Sequence, residues 1–200
     1  EYKLIFMKSY KNYRVKNLYH INAVSYVPFE LKAENQFKVE DVFMRGGLLM
    51  DMKEKIMAVS KGHLETSTKK RIFIERTHHR VPSNQAELAS ALATLGFEGV
   101  SVETLTLNEQ IDLFHNAECI VGASGAAFTN MMFAGENLKV ICFMPRSLRD
   151  FSCFSNLAKI FSVDLTYSFY DLDESEHHYS NEFEIDITEA LNTVNTVLAH

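Results

Sequence analysis

The amino-acid sequence predicts an α/β protein, a Rossmann-like parallel sheet with helices on both faces. From about residue 70 onward, short apolar runs alternate with segments of helical periodicity. Strands separated by single helices need crossover connections, and crossovers make a parallel sheet covered on both sides. Two stretches of distinctive chemistry, THHRVPSN and GASGAA, also fall at strand-to-helix junctions. Ligands of such sheets sit beyond the carboxyl ends of the strands.

The elements follow in order. Lys3–Met7 is a strand candidate, and Val39–Val59 reads as helical, interrupted at Gly46-Gly47. Arg71–Glu75 (RIFIE) is a strand. Pro82 and Asn84 are helix-start signals, Leu88, Ala91, Leu92 and Leu95 recur at helical spacing, and Gly96 is placed to end that helix. Val100–Val102 is a second strand. Thr106 opens a helix with Leu107, Ile111 and Phe114 on one face. Cys119–Val121 is a strand leading into GASGAA, from which a helix runs to about Ala134. Lys139–Met144 is a buried strand closed by Pro145. A helix over Asn156–Phe161, a strand over Leu165–Phe169 and a last helix striped with Ile187, Leu191, Val194 and Leu198 complete the chain. Asp173–Asn181 is a polar loop. Residues 1–68 form an N-terminal and connecting segment, and 69–200 the Rossmann-like domain.

Composition narrows the function. The 200 residues carry a net charge of −6, which argues against general nucleic-acid binding. Lys69, Lys70, Arg71, Arg76 and Arg80 nevertheless make a basic run opposed only by Glu75, suited either to a small anion such as a diphosphate or to a solvated strand end. Three widely spaced cysteines suggest neither a zinc ribbon nor a disulfide framework; Cys119 and Cys142 read as small buried hydrophobes in a reducing compartment. No run approaches the roughly 18 apolar residues of a membrane helix. The chain begins at Glu1 without an initiating Met, so upstream sequence, with any targeting signal or anchor, is expected. The pairs His78-His79 and His177-His178 lack metal-ligand spacing and read as exposed loops.

Two stretches carry chemistry, and the first has two readings. In GASGAA, small residues between strand and helix let a ligand approach backbone N–H groups, with the helix dipole adding attraction for an anion. The same stretch approximates a nucleophile elbow, Gly122-Ala-Ser124-Gly-Ala126, with Asp171 or Asp173 and His177 or His178 to complete a serine hydrolase triad. Arg76-x3-Arg80-x3-Asn84-x2-Glu87 places two arginines at a strand mouth, able to clamp a diphosphate. Asn84-x-x-Glu87 and Thr106-x-x-Glu109 both also read as capping boxes, which credits ligand contact chiefly to the arginines.

Together these stretches resemble the signature region of family-61 glycosyltransferases. The matching positions are Arg76, Arg80, Asn84 and Glu87, then Glu109-Gln110 with Phe114 and Ala117, then Gly122, Gly125, Ala126, Thr129 and Asn130, then VICFMP at 140–145. Coverage is best from about residue 70 to the end. Ser124 stands where the family often has His, and Cys142 where many members have Glu, so altered donor choice or lost turnover follows as an expectation. The resemblance implies the C-terminal, donor-binding half of a glycosyltransferase B architecture, with residues 1–68 as a remnant of the acceptor side. It implies an inverting transferase of polysaccharide biosynthesis, capsular in type, that takes a nucleotide-diphosphate sugar and a glycan acceptor without metal or resident cofactor. It implies substrate contacts from Arg76, Arg80, Asn84, Glu109, Gln110, Ser124, Gly125, Ala126, Thr129 and Asn130, with no catalytic base assigned. A bacterial member would be cytoplasmic, at the inner face of the membrane through upstream sequence only; a eukaryotic one would sit in the secretory lumen. The alternatives are a non-catalytic nucleotide-sugar-binding module and the serine hydrolase built on Ser124.

Overall fold

Alternation of side chains along each strand builds this fold from two faces. Ile72 and Ile74 point to one side of the sheet and Phe73 to the other, and all three are essentially buried. A strand apolar on both faces has to lie inside a covered parallel sheet. The computed structural model describes residues 11, 14, 25–27, 38–60, 69–78, 80–172 and 183–199. The expected strand at 3–7 and loop at 173–181 lie outside them.

Five strands form the sheet: β3 (Lys70–Ile74), β4 (Phe97–Val100), β5 (Ala117–Ala123), β6 (Lys139–Pro145) and β7 (Asp164–Tyr170). Upstream, β1 (Ser25–Tyr26) and β2 (Phe43–Met44) pair as a separate antiparallel ladder. The sheet is parallel throughout, in the order β4-β3-β5-β6-β7. The chain therefore runs outward from β3 to β4, then crosses back over β3 to β5 and continues the other way. That reversal between β3 and β5 is the topological switch point, where a crevice opens at the carboxyl ends of the strands.

Helices cover both faces. Helix α2 (Gln85–Ala93) and helix α5 (Ile187–Ala199) lie on the Phe73 side, where Leu88, Leu92, Ala190 and Val194 pack with Val121, Ile141 and Phe143. On the opposite side lie α1 (Gly46–Val59), α3 (Leu107–Asn116) and α4 (Cys153–Phe161), which bury Leu49, Ile111, Phe114 and Leu157 among others. Helix α1 precedes residue 69 yet contributes to this core, so the sheet's hydrophobic packing extends upstream of the expected boundary.

Local signals place most boundaries. Thr106 caps α3 reciprocally with Glu109, its backbone N–H donating to the Glu109 carboxylate at 2.7 Å. Gly96, at φ 81°, follows α2 in the left-handed conformation that glycine adopts without strain. Four expectations need correction. Gly46-Gly47 begin α1 instead of interrupting it. The second strand lies at Phe97–Val100, because Val102 turns into a short 3-10 helix, Val102–Thr104. Leu107 is 54% exposed, so the apolar stripe of α3 begins at Ile111. The segment after GASGAA is a 3-10 helix, Ala126–Phe133, in which the Thr129 hydroxyl donates to the Ala126 carbonyl at 2.7 Å. Three-residue periodicity still buries Phe128 and Met131, which is what packing on this face demands.

Candidate functional site

The switch point holds a cavity of about 750 Å³. Its walls come from three junctions: Ile74, Glu75, Arg76 and then Arg80 after β3, Glu103 after β4, and Ala126, Thr129 and Asn130 after β5. Gln110 of α3 closes one side and is bound to Asn130, whose side-chain amide donates to Gln110 Oε1 at 2.9 Å. A second cavity of about 290 Å³ adjoins it and shares Arg80, Ala126 and Thr129. That smaller space is mostly apolar, walled by Met144, Leu148, Phe151 and Phe154.

Arg76 is the centre of charge. Its guanidinium lies directly over Gly125, where an added Cβ would collide with it. Burial above all, and then the like charge of Arg80, pull the guanidinium below its usual pKa, while Glu103 and Tyr170 oppose the shift. A cation held this way gains from an anion that replaces lost water. Glu103 is bound by the Thr77 hydroxyl, which chiefly holds its carboxyl below the usual range, with smaller help from Arg76 and His78. Arg80 sits in the left-handed region at φ 56°, uncommon for a residue with a Cβ and costing of order 1–3 kcal/mol. Beside the arginines begins the 3-10 helix at Ala126, and the first N–H groups of any helix have no partner within it. Two cations and the amino end of that helix thus meet at one crevice.

The family model described as glycosyltransferase 61 matches residues 5–141. The chain belongs to that family. This family-61 glycosyltransferase is matched from far upstream of residue 70 and only as far as β6, so the likeness reaches well beyond the signature region. No curated protein matches the chain. Among solved structures, a diflavin flavoprotein A3 from Nostoc sp. is 13% identical over 56% of this chain and 83% of that one, with a TM-score of 0.37. A likeness that slight carries no argument.

The transferase brings together most of the residues expected at its site. Arg76, Arg80, Gln110, Ala126, Thr129 and Asn130 line the larger cavity, and Ser124 and Gly125 line the smaller. Asn84 and Glu109 line neither. Asn84 was expected to cap α2 with Glu87, but its side chain makes no capping bond. It grips the peptide of Ile185 instead, donating to the carbonyl at 2.8 Å and accepting from the N–H at 3.1 Å. Glu109 is committed to the Thr106 cap. Of the basic run, Lys69, Lys70 and Arg71 lie at the amino end of β3, away from the crevice. Arg71 binds both carboxylate oxygens of Glu118, at 3.1 and 3.2 Å, and Lys70 reaches Glu98. Only Arg76 and Arg80 of the five face the cavity. Cys142 is fully buried within the sheet, where desolvation pushes its thiol up, and it lines neither cavity.

The hydrolase reading does not fit Ser124. A nucleophile elbow holds its serine on a strained turn, exposed at the top of the sheet. Ser124 is 4% exposed, has no left-handed backbone, and donates its N–H to the Phe143 carbonyl at 2.8 Å. Asp171 is an exposed partner of Arg146, at 2.9 Å. Asp173, His177, His178 and His79 lie outside the described residues. Among the described residues no cluster of three His, Cys, Asp or Glu side chains is placed to hold a metal, and no helix is long and apolar enough to cross a membrane.

Sequence reasoning missed Glu75, His78 and Glu103 in the larger cavity and the aromatic wall of the smaller one. Glu75 and His78 flank Arg76 and could have been found from that adjacency. Glu103 and Phe154 carry no local signal, because only strand order brings them to the crevice.

Proposed function

We propose that the switch-point crevice is the donor site, taking a nucleotide-diphosphate sugar whose sugar passes with inversion to a glycan acceptor. The observation that carries this reading is the convergence of Arg76, Arg80 and the amino end of the Ala126–Phe133 helix on one cavity. A diphosphate supplies the anion that this arrangement favours. In the transfer, an acceptor hydroxyl oxygen bonds to the anomeric carbon while the bond from that carbon to the diphosphate oxygen breaks. Negative charge then grows on the departing nucleoside diphosphate, where the two guanidinium groups and the backbone donors stabilise it. The hydroxyl proton passes to a base. Glu75, His78 and Glu103 are the cavity side chains able to accept one. No step requires a metal ion. The glycosyltransferase B arrangement, capsular-type polysaccharide as product and a cytoplasmic site at the membrane's inner face belong to the same proposal, on the strength of the signature region.

A binding titration against UDP, GDP, CMP and their sugars tests it, with Arg80→Ala as control. One nucleoside diphosphate should bind, and Arg80→Ala should weaken it at least about tenfold, or about 1.4 kcal/mol. Binding that is absent, or indifferent to Arg80→Ala, would count against the donor site.

A further inference from the structure

Arg76 lies two residues beyond Ile74, the last residue of β3. Its neighbour Glu75 still finds a strand, its N–H donating to the Val100 carbonyl at 3.0 Å. One residue further, a side chain takes over. The Arg76 N–H donates to Gln85 Oε1 at 2.9 Å, and Gln85 Nε2 donates to the Arg76 carbonyl at 3.1 Å. Gln85 therefore pairs with the whole Arg76 backbone as an adjacent strand would. It is the first residue of α2, whose Leu88 and Leu92 are completely buried against the Phe73 face. The amide thus ties the Arg76 backbone to a rigid helix, while the arginine side chain crosses to Gly125. Gln85 itself lines neither cavity of the crevice.

We infer that Gln85 is a positioning residue, acting on the donor only through Arg76 by holding the Arg76 backbone in place. The inference rests on the donor-site reading and adds to it a residue that touches no substrate. A long side chain such as arginine has many rotamers, and a loose root would cost affinity in ordering before any contact with phosphate forms. A planar amide that satisfies both backbone groups at once removes that freedom.

The test is a double-mutant cycle on the whole chain, with UDP and GDP as probes and Gln85→Met as the substitution. Methionine keeps the length and helix propensity of glutamine but makes neither bond. Gln85→Met should weaken binding about tenfold and speed hydrogen exchange at the Arg76 amide. On an Arg76→Ala background it should change affinity less than about twofold, because the group it positions is gone. Equal losses on both backgrounds, an unchanged affinity, or an unchanged Arg76 exchange rate would each overturn the inference and leave the donor site standing. If neither probe binds the unaltered chain, or Arg76→Ala binds as well as it does, the donor-site reading falls and takes this one with it. Should Gln85→Met fail to fold, Gln85→Glu runs the same cycle. It keeps the acceptor for the Arg76 N–H but sets a carboxylate oxygen against the Arg76 carbonyl, so a loss, again confined to the Arg76 background, is expected.

Discussion

Gly125→Ala isolates the site from the scaffold. The backbone at Gly125 is ordinary extended chain, at φ 175°, so alanine fits it without strain. What the new methyl meets is the far end of one side chain: it overlaps Arg76 Nη1 and lies 2.9 Å from Cζ. Comfortable carbon contacts need about 3.5–4.0 Å, so the guanidinium has to move by an ångström or more. A hydrogen bond to a charged group contributes about 1.5–3 kcal/mol, and losing one such bond to a phosphate weakens binding about tenfold to a hundredfold. Stability should barely change, because a flexible side chain gives way and no cavity opens. For a chain of this length a loss under about 1 kcal/mol lowers Tm by less than about 4 °C. Gly122→Ala is the contrasting case. Its Cβ would lie 2.9 Å from the Ile74 Cβ and 3.2 Å from the Ile74 carbonyl oxygen, between two strands that cannot separate. Overpacking there should cost about 1–3 kcal/mol. Calorimetric titration with UDP and GDP and thermal unfolding of both variants check the pair. Gly125→Ala protein that keeps its Tm and binds like the unaltered chain would refute the placement of Arg76 at the anion.

Two further outcomes follow from the same geometry. Arg71→Ala removes the doubly bonded Glu118 pair and a bond to the Leu95 carbonyl at 2.9 Å, yet sits at the opposite end of β3. It should cost about 1 kcal/mol of stability, since the pair is partly solvated, with nucleotide affinity unchanged; a matching loss of affinity would show that the amino-end cations also serve the ligand. Burial raises the Cys119 thiol from 9.0 to about 12 and Cys153 to about 11. A thiol raised in the folded state stabilises fully below its unfolded value. That contribution is lost as pH climbs from about 9 toward 12, as the unfolded chain ionises first. Native protein at pH 8 should therefore label slowly with iodoacetamide and unfolded protein quickly; fast native labelling would contradict the burial of all three cysteines.

Features that depend on near neighbours along the chain were legible in the residues alone. Short apolar runs such as RIFI marked the strands, Leu88 and Leu92 marked the buried face of α2, and Thr106-x-x-Glu109 marked a cap that needs only its own four residues. The arginine pair and the small-residue turn were legible because both belong to strand-to-helix junctions, whose place beyond the sheet follows from alternation alone. Features that depend on distant partners emerged only in the folded chain. Asn84 looked like a cap, but Ile185, 101 residues away, offers it a whole peptide, and two bonds to a partly buried backbone outweigh one to an exposed helix end. Lys69, Lys70 and Arg71 looked continuous with Arg76, yet a five-residue strand carries its two ends about 13 Å apart and so separates the cations at its amino end from those at the crevice. The choice of a 3-10 helix after GASGAA, and the meeting of Glu103, Gln110 and Phe154 around the crevice, rest on sheet order and packing. Neither is written in residue spacing, because spacing reports which neighbours a side chain has along the chain and not which ones arrive from across the fold.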